Sequence, residues 1–255
     1  MNTGSPPVSA PGLRSHRGLG LLGQWARYLK TEPRPMGAAA DFWIWLKTTF
    51  LGRNLLDEGL PWITFPAMRW LHGHLRPSMS VFEWGSGGST VFLARRAGRV
   101  VSVEYDRKWC TAVEARLRQA GLQNAQLRYL PPEPGDAGAR YHSSDQAFAG
   151  LNFRGYVDSV LDFPDGTFDV VLVDGRARRG CVAAALPKLK REGVLVLDNS
   201  DRADTAEACA LMSGPDWVAL HFAGPGPQSR WPAFWRTTVF RRTVAGTGAP
   251  TEPSS

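Results

Sequence analysis

From residue 65 onward, short apolar runs alternate with longer stretches of helical spacing. Residues 65–75 have helical spacing and precede Pro77. Residues 80–84 (SVFEW) then form a short apolar run that breaks into a glycine turn, and residues 89–97 (STVFLARRA) read as helix. RVVSVEYD (99–106) is a second apolar run ending in acids. KWCTAVEARLRQAG (108–121) is an amphipathic helix closed by Gly121. QLRYL (126–130), FDVVLVDG (168–175) and VLVLDNSD (194–201) give three more strands. CVAAALPKLKREG (181–193) and ADTAEACALMSG (203–214) are read as the helices between and after them. WVALHFAG (217–224) and FWRTTVFRR (234–242) supply two late strands that suit an antiparallel pair. Apolar strands alternating with helices of 10–15 residues predict an α/β domain, a parallel sheet with helices on both faces.

The flanks read differently. Residues 1–18 and 244–255 are small, polar and proline-rich, and are expected to be disordered tails. Residues 19–60 are expected to be a helical segment. Within it, DFWIWLKTTFLGRNLL (41–56) is predicted as a helix opened by Asp41 as N-cap. Its thin basic face, Lys47 and Arg53, favours packing on the domain or on a second subunit over lying on a membrane. That leaves residues 61–243 as one domain.

Composition narrows the class. The chain has 255 residues with 43% hydrophobic and 21% charged, ordinary for a globular protein. No apolar stretch approaches the ~20 residues that span a bilayer, and no secretory signal pattern is seen. Three widely spaced cysteines, Cys110, Cys181 and Cys209, form no zinc spacing or disulfide framework, which fits a cytoplasmic setting. The net charge of +7 comes from scattered arginines rather than a cluster, so nucleic acid is not the expected partner.

The sharpest local signal is Glu83-Trp84-Gly85-Ser86-Gly87-Gly88-Ser89-Thr90, placed where a first strand hands over to a helix. Such a turn brings a ligand close to bare backbone. A dinucleotide fingerprint needs a glycine where Thr90 stands, and Glu83 would repel a pyrophosphate. Glu83 suits a cationic ligand instead. Glu104, about twenty residues on at a strand end, can accept from both hydroxyls of a ribose.

The acid-x-Gly-x-Gly turn resembles the first motif of class I S-adenosylmethionine-dependent methyltransferases. VDGRAR, LKREGVLVLDN and the closing GPGP and TT-V-F-R segments extend the resemblance over roughly residues 60–241. It implies a Rossmann-like three-layer α/β/α sandwich. The sheet would be mostly parallel and seven-stranded, with an antiparallel last strand. It implies S-adenosylmethionine held by Glu83, Gly85, Ser86, Gly87 and Glu104, with Asp174 between cofactor and acceptor. Asp174, Asp198 and Asn199 also match, in type and place, the donors of metal-dependent O-methyltransferases, which would bind Mg²⁺. Where those enzymes carry a lysine, this chain has Arg176, Arg178 and Arg179, which could bind an acceptor carboxylate or phosphate. Trp84 is expected to border the cofactor. His142, in the long 131–167 connection that could form a lid or pocket, is a candidate base beside Asp174; His221 is another. The expected reaction is methyl transfer to a hydroxyl of a small-molecule acceptor, by a chain that could be a homodimer. An NAD(P)-dependent oxidoreductase and a non-catalytic nucleotide-binding protein are the rival readings.

Overall fold

The computed structural model describes residues 21–31, 35–228 and 234–243. Both expected tails lie outside them, as do residues 19–20, 32–34 and 229–233. The chain opens with α1 (Leu21–Thr31), α2 (Pro35–Phe50), α3 (Leu55–Glu58) and α4 (Phe65–His74). β1 (Ser80–Trp84), α5 (Gly88–Ala94), β2 (Arg99–Glu104), α6 (Arg107–Gln119) and β3 (Ala125–Tyr129) follow. The long connection holds a two-residue pair, β4 (Glu133–Pro134) and β5 (Leu151–Asn152), then α7 (Arg154–Asp158). The chain continues through β6 (Phe168–Val173), α8 (Arg178–Ala185), β7 (Leu189–Leu197), α9 (Ala206–Ala210), β8 (Trp217–Gly224) and β9 (Trp235–Arg242).

Seven of these strands form one sheet in the order β3-β2-β1-β6-β7-β9-β8. The first five are mutually parallel, and β9 runs antiparallel to both β7 and β8. This is the Rossmann-like α/β/α arrangement, with its antiparallel last strand in sequence lodged between two others. After β3 the chain returns to the far side of β1, so strand order reverses between β1 and β6. Crevices open at the carboxyl ends of strands at such a switch point.

Alternation along β1 assigns the two faces. Val81 joins a core with Val91, Val100 and Leu172; Phe82 and Trp84 join another with Val101, Val103, Phe153 and Tyr156. Burial on both faces is why the strands read as nearly continuous apolar runs.

Two sequence expectations are corrected. The helix expected over 181–193 stops at Ala185, because Pro187 cannot donate the next helical hydrogen bond. LKREG instead opens the nine-residue β7, whose register with β6 shifts between Phe168 and Val170. Gly193 permits that irregularity: a Cβ there would lie 2.9 Å from the Phe168 carbonyl oxygen.

Asp41 is not an N-cap. The helix starts at Pro35, ends at Phe50, and carries Asp41 buried in its interior. There its carboxylate accepts from Tyr28 Oη (2.8 Å) and pairs with Arg69. Trp25, Phe42, Trp45 and Phe234 pack ring against ring beside Tyr28, which fastens α1 and α2 to the sheet. Among the described residues, no helix is long and apolar enough to cross a membrane.

Candidate cofactor and acceptor site

The glycine turn leaves β1 at the switch point. Gly85 has φ +94°, a region that favours glycine, and its N–H donates to the Val103 carbonyl (3.0 Å). A Cβ at Gly85 would sit 3.0 Å from the backbone of Asp174 and Gly175. The two loops therefore touch through bare backbone. Gly175 itself makes room for the Tyr156 hydroxyl, which a Cβ would overlap at 1.9 Å.

Beneath the turn lies Glu83, fully buried. Its Oε2 accepts from Thr90 Oγ1 (2.6 Å) and Ser102 Oγ (2.6 Å), and Thr90 Oγ1 accepts from the Gly87 N–H (3.0 Å). Thr90, which spoils a dinucleotide fingerprint, thus ties the acid to the turn. Glu83 Oε1 is buried and makes no hydrogen bond of good geometry, and the Ser89 hydroxyl lies close enough to stabilise the charged carboxylate. Burial pushes this carboxyl up to about 7, against the opposing pull of the hydroxyl donors.

Glu104 ends β2 and is also buried. Oε2 accepts from the Ser86 N–H (3.1 Å) and Oγ–H (2.9 Å); Oε1 accepts from the Tyr105 (2.8 Å) and Asp106 (2.9 Å) N–H groups. Burial raises its pKa, and these donors pull the other way. Its four acceptor sites are filled, so a ribose grip requires the Ser86 hydroxyl to turn aside.

Trp84 is corrected. Register places it on the face opposite Glu83, fully buried, where Nε1 donates to the Tyr156 carbonyl (2.8 Å) and the ring packs on Phe82. The tryptophan beside the turn is Trp109, which sequence reasoning missed. Its Nε1 donates to the Ser86 carbonyl (2.8 Å), its ring lies 3.7 Å from where a Gly87 Cβ would be, and it is 37% exposed. Its place one turn after the Asp106 N-cap was the available signal.

Asp174 follows β6 and Asp198-Asn199 follow β7, so neighbouring strand ends bring them together. The space among them holds a side chain. Arg178 Nη2 donates to Asp174 Oδ1 (3.3 Å) and Asn199 Oδ1 (3.0 Å). Asp198 Oδ1 accepts from Thr237 Oγ1 (2.6 Å) and Trp235 Nε1 (2.9 Å). Burial raises the pKa of both acids; the charge of Asp198 raises that of Asp174 further, and Arg178 opposes both shifts. This donor set does not fit Mg²⁺: a guanidinium already bridges two of the three groups and the third is engaged elsewhere. Among the described residues, no cluster of three or more His, Cys, Asp or Glu is arranged to hold a metal ion.

The arginine trio separates. Arg176 donates to Tyr105 Oη (3.2 Å), pairs with Asp145 (3.2 Å) and lies over the Phe148 ring, tying the 131–167 connection to the end of β2. Arg178 serves the acids, and Arg179 pairs with Glu207 at the surface (2.5 Å). His142 faces Asp136 within its own segment, with Nε2 3.0 Å away. His221 Nδ1 lies 3.0 Å from Thr238 Oγ1. It lines a cavity of about 490 Å³ together with Ser200, Arg202, Cys209 and Arg236. That cavity begins one residue beyond Asn199.

The chain is similar to an O-methyltransferase from Streptomyces achromogenes involved in tomaymycin synthesis, TomG, solved with S-adenosylmethionine. The TM-score is 0.55 at 18% identity, over 81% of this chain and 96% of that one. It is also similar to an O-methyltransferase from Bacillus cereus solved with S-adenosylhomocysteine. There the TM-score is 0.55 at 16% identity, over 80% of this chain and 97% of that one. The fold is that of class I methyltransferases. No family model and no curated protein sequence matches the chain. The methyltransferase fold therefore rests on architecture together with the motif order from Glu83 to Asn199.

Within that fold the site fits a cationic nucleoside. Glu83 Oε1 is a buried acceptor with no well-placed donor, next to a turn that Gly85 makes possible. An ammonium or sulfonium group beside it would favour the charged acid.

Proposed function

We propose that this chain is an S-adenosylmethionine-dependent methyltransferase that methylates a hydroxyl of a small-molecule acceptor. The observation that carries the reading is Glu83 Oε1, buried under the glycine turn with no hydrogen-bond donor in good geometry. It suits the ammonium of the cofactor's methionine part. Gly85, Ser86 and Gly87 give close backbone approach, and Glu104 takes the ribose hydroxyls once Ser86 turns aside. The names of the two neighbours, both O-methyltransferases and one of them in tomaymycin synthesis, support oxygen as the target and a small acceptor.

When bound, S-adenosylmethionine supplies an electrophilic methyl. The chain's own residues then have two tasks. The strand-end loops align the acceptor oxygen in line with the methyl–sulfur bond. Asp174 takes the acceptor's proton; burial and Asp198 raise its proton affinity, which makes it a stronger base than an exposed carboxylate. His142 is the second candidate for the proton, reaching the crevice only if the 131–167 connection shifts its pairing with Asp136.

An NAD(P) reading has the Glu83 carboxylate against it, since a pyrophosphate would meet a buried acid. Calorimetric titration decides between them. S-adenosylhomocysteine is expected to bind with micromolar affinity and NADH not at all. Binding of NADH alone overturns the proposal. Asp174→Asn is expected to retain S-adenosylhomocysteine binding while removing methyl transfer.

A further inference from the structure

Where β6 and β7 end, two oxygen-bearing side chains, Asp174 and Asn199, share one cation, with Asp198 beside them turned to Thr237 and Trp235. Arg178 is 13% exposed, and a single nitrogen, Nη2, makes both of its bonds, to Asp174 and to Asn199. Its Nε is buried with no partner. Among the described residues, Nη1 meets no acceptor either. A guanidinium carries five N–H donors in a planar fork; here the Nε–H is unmet and buried, which is costly, while Nη1 keeps accessible surface.

The backbone on either side is held in unusual conformations to make the arrangement. Ala177 has φ +48° and Asn199 has φ +53°, both left-handed and neither a glycine. Ala177 turns the chain so that Arg178 becomes the first residue of α8, four residues after Asp174. Asn199 turns the chain after β7 while its side chain accepts from the arginine. The strain lies at Ala177, since asparagine enters the left-handed region more readily.

We propose that Arg178 is a built-in cation standing where a divalent ion would otherwise sit among Asp174, Asp198 and Asn199, and that its open Nη1 receives an anionic oxygen of the acceptor. The acceptor class is then an acid, a carboxylate or a readily ionised phenol. The cation half stands on the geometry alone; the acceptor half rests on the methyltransferase reading. A fixed guanidinium would hold the acceptor oxygen as the anion: a carboxylate arrives already ionised and needs no base, whereas a phenol gives its proton to Asp174 before attack. A metal added beside it would bring like charges together, so the two cations exclude each other.

The test uses the full chain. Mn²⁺ is titrated and followed by the loss of its free electron paramagnetic resonance signal. Wild type is expected to leave the signal free, Arg178→Ala to bind one ion, and Arg178→Ala with Asp174→Asn to bind none. A wild type that binds Mn²⁺ through Asp174, or an Arg178→Ala chain of native circular dichroism that gains no site, overturns the cation. Saturation-transfer NMR with acetate and with acetamide, in the presence of S-adenosylhomocysteine, addresses the anion. Acetate alone is expected to receive signal in wild type, and Arg178→Gln is expected to lose it, giving a readout should Arg178→Ala not fold. Equal transfer to acetamide, or transfer that survives in Arg178→Gln, overturns the acceptor class. Calorimetry of S-adenosylhomocysteine on wild type separates the two ideas: silence there removes the methyltransferase reading and leaves the Mn²⁺ result standing.

Discussion

Glu83→Gln is the most informative single change. The Glu83 carboxyl is fully buried and pushed from 4.5 up to about 7. At ~1.36 kcal/mol for each tenfold change in proton affinity, the ionised form costs the unliganded fold about 3 kcal/mol. Below 4.5 both folded and unfolded chains hold the proton. Between about 4.5 and 7 the unfolded chain releases it while the folded chain keeps it, so wild-type stability falls as pH rises through that window. Above 7 the full cost is present and constant. Glutamine removes this dependence. Its own cost, an amide N–H₂ at the position of Oε1, is the same at every pH. Urea unfolding of both proteins from pH 4.5 to 8 therefore isolates the effect. The gap between them should change by about 3 kcal/mol across the series, in favour of Glu83→Gln at the alkaline end. Stability curves that stay parallel within ~0.5 kcal/mol would refute the reasoning. The ligand gives the complementary reading. An ammonium on Oε1 favours the carboxylate, so at pH 6 S-adenosylhomocysteine should release close to one proton on binding, visible as buffer-dependent heat. Glu83→Gln should release none and bind about 100-fold more weakly, the loss of one charge-assisted bond of ~2.7 kcal/mol.

Three further outcomes are expected. Arg69→Ala removes a cation paired with the buried Asp41 and should cost about 3 kcal/mol in urea unfolding, with red-shifted tryptophan emission as Trp25 and Trp45 are exposed. Gly85→Ala forces a side chain into φ +94° and against the Asp174 carbonyl; a loss of about 1–3 kcal/mol and of S-adenosylhomocysteine binding should appear in melting and calorimetry. Arg176→Ala releases the connection that it ties to Tyr105 and Asp145. Amide exchange at Gln146–Phe148 should rise about tenfold, ~1.4 kcal/mol, while exchange in β1 and β6 stays unchanged.

The sheet was legible because its central strands are buried on both faces, and burial writes itself into sequence as unbroken apolar runs. The glycine turn was legible for a similar reason: Gly85 occupies a backbone conformation that few other residues adopt. Elements defined by their surroundings were not. Asp41 has the residue type of an N-cap, and only the distant Tyr28 and Arg69 show that it is a buried anion inside a helix. LKREG has good helix formers, yet Pro187 and pairing with β6 draw it into a strand. Local propensity loses to tertiary pairing in such short segments.

Trp84 and Arg178 mark the boundary between what could have been read and what could not. Strand parity alone puts Trp84 on the face opposite Glu83, so if the acid lies beneath the turn the tryptophan belongs to the other core; that alternation is present in the sequence itself. Spacing likewise favours Arg178 among the three arginines, because only it stands four residues from Asp174 at the start of a helix, within reach of an ion pair. The bond to Asn199 is another matter. It joins residues 21 apart and exists because β6 and β7 are neighbours and because Ala177 and Asn199 both take left-handed turns. Asparagine after a strand is a turn signal, but nothing in composition or local pattern specifies the turn at Ala177. The donors of a metal site can therefore be present in the right types and order, Asp174, Asp198 and Asn199, while the fold has already supplied the cation from its own helix.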